Sequence, residues 1–376
     1  MTVIAAGAVV ADGAVLRPGW VSVAGERIAD CGSGPPPVSP DADFGDGVLV
    51  PGFVDMHSHG GAGVSYADDP DRAAALHALH GTTGGLASLV SASPEALLAQ
   101  VRTLAAATRR GVVDGIHLEG PWLSRLHCGA HDSGQLRAPS DAEVDALLVA
   151  GDGAIRMVTL APELPGGIAT TRRLVDSGIV VAVGHTDASY ELTQEAIDAG
   201  ARAGTHLFNA MRALHHREPG PVPALLSDPR VTVELIADGV HLHAGVVRHV
   251  VATAGPDRVA LVTDAMAAAG VGDGEFTLGG RDVDVDVADG VARLRGTATI
   301  AGSTATMDRL FATAVRLLGA DDVAVADAVR MTSSTPARLL GLHRTGVLAA
   351  GRDADLVVLD RNWQVWRVMR RGAWLG

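Results

Sequence analysis

Histidines and carboxylates recur at the ends of short apolar runs along this chain. Val54-Asp55-Met56-His57-Ser58-His59 sets two imidazoles two residues apart, a spacing at which an extended backbone directs both side chains toward one ion. His117-Leu118-Glu119, Gly184-His185, Thr205-His206 and Val262-Thr263-Asp264 close further runs in the same way. Histidine and carboxylate suit zinc, manganese or iron(II). No cysteine accompanies them, which points away from a closed structural zinc site and toward a catalytic site with open positions. Any one of these histidines reads as an ordinary core residue; several segments ending alike do not.

Such residues converge only if the runs that carry them share one end. Eight strand-like runs are found at 54–57, 86–90, 115–119, 156–160, 180–185, 204–206, 231–237 and 259–264, with helical stretches between them. That alternation predicts an α/β fold, a (β/α)8 TIM barrel, whose catalytic groups lie at the carboxyl ends of the strands. Helix starts are marked by Ser93-Pro94 and by Ser140 with Glu143, the latter a capping box. The barrel is expected over residues 51–344. Residues 1–50 and 345–376 alternate short β-type runs with turns, and predict a small β-sandwich domain formed from both chain termini. Alternating Val283, Val285 and Val287 around Asp289-Gly290 predict a β-hairpin insert at about 275–296.

At 376 residues the chain exceeds the roughly 250 of a plain barrel and leaves room for that second domain. The net charge of −13, with dispersed basic residues, excludes a nucleic-acid footprint. Every one of the 30 basic residues is arginine. There is no long apolar run and no basic-then-apolar N-terminal segment, so neither a membrane span nor a secretion signal is expected. Cys31 and Cys128 form no metal-type or redox-type pair, which places the protein in a reducing compartment, the cytoplasm. His77, His80, His215, His216, His249 and His343 fall outside strand ends and read as surface or core histidines.

In order and wording, the runs PGFVDMHSHG, HLEGPW, VGHTDA, THLFNAM, ADGVHLH, LVTDA and AGST resemble the N-acetylglucosamine-6-phosphate deacetylases of the amidohydrolase superfamily, over essentially the whole chain. The paired histidines and the strand-eight aspartate are shared by much of the superfamily; HLEGPW and THLFNAM are particular to these deacetylases. The resemblance implies hydrolysis of the acetamide of N-acetylglucosamine 6-phosphate to glucosamine 6-phosphate and acetate, with metal-activated hydroxide as nucleophile and Asp264 as general base and then acid. It implies one or two divalent ions per subunit, zinc foremost, with iron, manganese, cobalt or cadmium as alternatives. One ion is expected on Glu119, His185 and His206, and a second on His57, His59 and Glu119. Many binuclear relatives bridge their metals with a carboxylated lysine. This chain has no lysine, so Glu119 is the expected bridge.

The same resemblance assigns His131 to polarising the carbonyl oxygen, Asn209 and Ala210 to donating from a loop start, His241 to a further contact, and Thr299, Ile300 and Ala301 to lining the sugar. Arg217 is the expected phosphate ligand, through its planar fork, in its own pocket or the partner's. The loop from 121 to 139, which holds Cys128, is expected to act as a lid. The implied partners are a small amino-sugar phosphate and a second copy of the chain, as a homodimer or a dimer of dimers, with no nucleic acid and no membrane. Two other readings compete: an amidohydrolase acting on another N-acyl or cyclic amide, and a non-catalytic sugar-phosphate-binding protein. The second would be expected to have lost Asp264 or a metal ligand.

Overall fold

The computed structural model describes residues 1–279 and 283–376. The chain divides into two compact units, one of Met1–Asp55, His77–Gly84 and Thr306–Gly376, the other of Met56–Leu76 and Gly85–Ala305.

The central sheet is parallel, with eight strands in chain order: β1 (Phe53–Asp55), β2 (Thr82–Leu89), β3 (Gly115–Glu119), β4 (Ile155–Leu160), β5 (Val180–Val183), β6 (Ala203–Gly204), β7 (Thr232–Leu235) and β8 (Val259–Leu261). Its strands are almost wholly buried, which is why they read as continuous apolar runs rather than as alternation. The two ends of the sheet meet just past β1 and β8. There the Asp264 N–H donates to the His57 carbonyl at 2.8 Å, and Ser58 and Ala265 form a parallel bridge. The result is a nearly closed (β/α)8 barrel. Several strands stop short of their sequence-expected ends, so His185, His206 and Asp264 stand on the turns that follow β5, β6 and β8.

The helix Pro94–Arg109 begins as its sequence predicts, with Ser93 Oγ accepting from the Ala96 N–H at 3.3 Å, and it buries Leu97, Val101 and Leu104 along one stripe. The helix Asp141–Gly151 keeps half of the expected capping box. Ser140 Oγ accepts from the Glu143 N–H at 3.3 Å. The Glu143 carboxylate does not reach back to close the box; it accepts from Trp122 Nε1 at 3.0 Å and Arg137 Nε at 2.9 Å. That carboxylate therefore ties down both ends of the loop after β3.

The insert after β8 has three antiparallel strands, Gly274–Leu278, Val283–Ala288 and Val291–Leu294, one more than a hairpin. Residues 280–282, between the first two of these strands, lie outside the described residues. Between the second and third, Asp289 and Gly290 both have positive φ, 52° and 72°, between the paired Ala288 and Val291, as a two-residue hairpin connection demands. Leu278, Val285, Val287 and Ala292 pack with Met266 and Ala301 in one apolar cluster.

The other unit draws on both chain termini. A six-stranded sheet runs in the order Ala373–Trp374, Val365–Arg370, Leu356–Leu359, Val48–Pro51, Ala8–Ala11, Ala14–Leu16. A four-stranded sheet runs Arg27–Ser33, Gly19–Ala24, Thr2–Ala6, Ala42–Asp43. Ile4, Val21 and Ile28 from the smaller sheet share a core with Val9, Leu49 and Val358 from the larger, giving the expected sandwich. Among the described residues no helix is long and apolar enough to cross a membrane.

Candidate metal centre and active site

The turns that carry the site are strained. His185, His206 and Asp264 have φ of 48°, 26° and 48°, left-handed backbone that residues with a Cβ seldom adopt, at a cost of about 1–3 kcal/mol each. Surrounding hydrogen bonds hold them there. The Asp264 N–H is bonded to His57 O at 2.8 Å, and the Asp264 carbonyl accepts from the Ser303 N–H at 2.7 Å. The His206 N–H donates to Glu234 Oε2 at 3.1 Å. Each bend turns a side chain from the strand direction into the mouth of the barrel.

There two groups of ligand-type atoms form around Glu119. Its Oε1 lies 3.0 Å from Nε2 of both His185 and His206, which are 3.1 Å from each other. Its Oε2 lies 3.1 Å from His59 Nε2, and the His57 and His59 Nε2 atoms are 3.2 Å apart. Asp264 Oδ1 faces that second group, 3.2 Å from His59 Nε2 and 3.4 Å from His57 Nε2. Atoms so spaced surround a point about 2 Å from each, the length of a bond from a divalent ion to imidazole nitrogen or carboxylate oxygen.

The chemistry of the donor set also fits a cation. Glu119, Glu234 and Asp264 are all buried, and among the described residues their ion-pair partners are histidines only. Buried carboxylates without a cation are costly, so positive charge belongs here. In the metal-free protein that charge comes as protons. Burial by itself lowers the imidazole pKa of His57 and His59, but the carboxylates of Glu119 and Asp264, joined at His57 by Glu234, more than reverse it. His57 is held well above the ordinary histidine range and His59 is pushed up to about 9. Against their own burial, Asp264 is held far below the usual carboxylate range by His57 and His59, and Glu119 by His57 and His131.

Neighbouring groups set the tautomers. His127 O, an acceptor only, lies 2.8 Å from His185 Nδ1, and Glu234 Oε2 lies 3.1 Å from His57 Nδ1. Both rings therefore carry a proton on Nδ1, and in the neutral ring Nε2 offers its lone pair to the centre. His131 is arranged the other way. The Ser91 N–H donates to its Nδ1 at 3.2 Å, so the neutral ring is protonated at Nε2, 3.3 Å from Glu119 Oε2. Burial lowers the pKa of His131 and favours that neutral form.

A cavity of about 290 Å³ opens over this cluster, and His59, Glu119, His131, His185, His206 and Asp264 all reach its wall. Asn209, Ala210, His241, Thr299 and Ile300 complete the part of the wall expected from sequence. Asp238 grips His241 through Nδ1 at 2.8 Å, leaving Nε2 for the cavity. Asn209 differs from expectation in one respect: its Nδ2 donates to the His206 carbonyl at 3.1 Å, so the side chain offers the cavity an acceptor.

Three expected residues stand apart. Ala301 is fully buried behind the wall, its N–H bonded to Ala292 O at 3.0 Å, and its neighbours Ile300 and Gly302 face the cavity in its place. Arg217 lies on an exposed stretch outside the wall, with Nη1 2.7 Å from His216 Nε2; its own chain does not bring it to the cavity. Cys128 is half-buried beside the wall residue Gly129. The loop holding it is anchored by buried Trp122, Leu123 and Leu136.

Sequence reasoning missed the groups that act through others: Glu234, Ser91 and Asp238. It also missed the wall residues Leu278 and Ala298, whose types carry no chemical signal. Glu234 had a legible one, as a carboxylate inside the apolar run of residues 231–237.

Comparison with known proteins agrees with this geometry. The Amidohydrolase family model matches residues 48–375. An N-acetylgalactosamine-6-phosphate deacetylase of Escherichia coli O157:H7 is 37% identical over 94% of this chain and 95% of its own. An N-acetylglucosamine-6-phosphate deacetylase of Bos taurus is 40% identical over 86% of this chain and 82% of its own. The crystal structure of N-acetyl-D-glucosamine-6-phosphate deacetylase from Mycobacterium smegmatis superposes with a TM-score of 0.97 at 50% identity, covering 100% of both chains. The chain belongs to the amidohydrolase family and, within it, to the N-acetylglucosamine-6-phosphate deacetylases.

Proposed function

We propose that this chain hydrolyses the acetamide of N-acetylglucosamine 6-phosphate to glucosamine 6-phosphate and acetate, in the cytoplasm and as a homodimer. The observation that carries the reading is one cavity in which Glu119 faces two imidazole pairs, with Asp264 and the Nε2 of His131 beside them. Glu119, His185 and His206 would hold one divalent ion, and His57, His59 and Glu119 a second; zinc suits the donor set best. A bound ion of this kind polarises an amide carbonyl and lowers the pKa of water toward about 7.

The chain's own residues supply the rest. Asp264, ionised, takes a proton from the attacking water and returns it to the departing nitrogen. His131 donates from Nε2 to the carbonyl oxygen as negative charge develops there. Asn209 accepts from a sugar hydroxyl, while the Ala210 backbone, His241, Thr299 and Ile300 border the ring. Arg217 has no carboxylate partner among the described residues, which leaves its fork for the 6-phosphate in the partner subunit's pocket. The loop over the site, with Cys128, closes on bound substrate.

Acetate release from N-acetylglucosamine, N-acetylgalactosamine and N-acetylmannosamine, each with and without a 6-phosphate, tests this reading on protein of measured metal content. The 6-phosphate of N-acetylglucosamine is expected to be the fastest substrate, well ahead of the free sugar. A faster galactosamine epimer would favour a second reading, motivated by the 37% identical relative of that name. No acetate from any 6-phosphate by metal-loaded protein would contradict both.

A further inference from the structure

β7 is a buried strand whose single carboxylate, Glu234, is fully enclosed and does not reach the cavity wall. One oxygen makes its contacts. Oε2 lies 3.1 Å from His57 Nδ1 and also accepts from the His206 backbone N–H at 3.1 Å, whereas Oε1 has no hydrogen-bond partner among the described residues. Its ion-pair partner is His57. A carboxylate sealed in the barrel with a histidine as its ion-pair partner is a poor packing residue, since its desolvation is repaid only by good partners.

The four imidazoles are not held alike. His185 is fixed by a carbonyl at Nδ1, while the Nδ1 atoms of His59 and His206 have no hydrogen-bond partner among the described residues. Glu234 thus holds the ring of His57 but only the backbone of His206. We propose that Glu234 is the positioning residue that creates the His57–His59 ion site: by accepting from His57 Nδ1 it fixes the tautomer and aims Nε2 at Glu119 and Asp264. The site built on Glu119, His185 and His206 keeps its ring contacts without it. This inference rests on the two-ion reading given above.

Zinc titration of chelator-stripped protein tests it, with stoichiometry from elemental analysis and affinities from equilibrium dialysis. Wild type is expected to bind two ions per chain. Glu234→Met, similar in volume but with no strong acceptor, is expected to bind the second ion about 10–100-fold more weakly and the first with a much smaller loss, because His206 loses a backbone contact and keeps its ring contacts. Glu234→Gln, whose carbonyl oxygen can accept from both partners, is expected to retain most of the second ion's affinity. Should Glu234→Met fail to fold, Glu234→Asp, too short to span both partners, takes its place with the same expectation. Two ions at wild-type affinity in Glu234→Met, or equal loss of both, would overturn the proposal, as would a Gln variant as weak as Met. A wild type that binds only one ion would instead overturn the two-ion reading itself.

Discussion

Glu119 turns one oxygen toward His185 and His206 and the other toward His59, so a single side chain links both halves of the cluster. A chain without lysine has no carbamate to offer, so the linking carboxylate is an acid, at the end of β3. Asp264 differs from it in its ion pairs, which among the described residues are with His57 and His59, and it borders the cavity. Replacing Asp264 by Asn keeps the shape and removes the base. Turnover is expected to fall by about 10²–10⁴-fold while KM and the metal content on Glu119, His185 and His206 stay near wild type. Steady-state kinetics with elemental analysis checks this, and undiminished turnover would strip Asp264 of its role. Residues whose own atoms meet in the centre were legible because histidine and acid are conspicuous at the ends of apolar strands. Ser91, Asp238 and Glu234 act through a histidine's far nitrogen, and nothing in their spacing announces that contact.

Among the elements, the turns after β5, β6 and β8 do more for the site than the strands. The left-handed backbone at His185, His206 and Asp264 is paid for by neighbouring hydrogen bonds, and the segment after the insert supplies one of them through Ser303. Gly302 is required in that segment. Its φ is 66°, and a Cβ would stand 2.9 Å from the Asp264 carbonyl oxygen, a backbone atom that cannot swing aside. Gly302→Ala is expected to cost about 1–3 kcal/mol. Chemical denaturation would show this as a lower midpoint, accompanied by reduced turnover as Asp264 is displaced; an unchanged midpoint would contradict the packing described. Turn geometry of this kind is where sequence reading ran short. Helix starts at Ser93 and Ser140 and the Asp289-Gly290 turn were readable from local rules. The third strand of the insert and the diversion of Glu143 to Trp122 and Arg137 were not, because tertiary partners decide them.

For the whole molecule, the order of eight strands was legible because parallel strands between helices read as uninterrupted apolar runs. That strand-like segments at both termini share one domain was legible too, but the particular pairing of Leu356–Leu359 with Val48–Pro51 was not. That Arg217 stands exposed and off the cavity wall of its own chain was not legible, because spacing does not say which way a loop turns. An enzyme of net charge −13 that acts on a phosphate ester must concentrate positive charge locally, a need that the proposed ions and the proposed role of Arg217 would meet. The most direct measurement strips the protein with a chelator and follows acetate release from N-acetylglucosamine 6-phosphate as zinc is restored. Activity is expected to be lost with the metal and to return in proportion to ions bound per chain. Full acetate release from protein holding almost no metal would contradict the account.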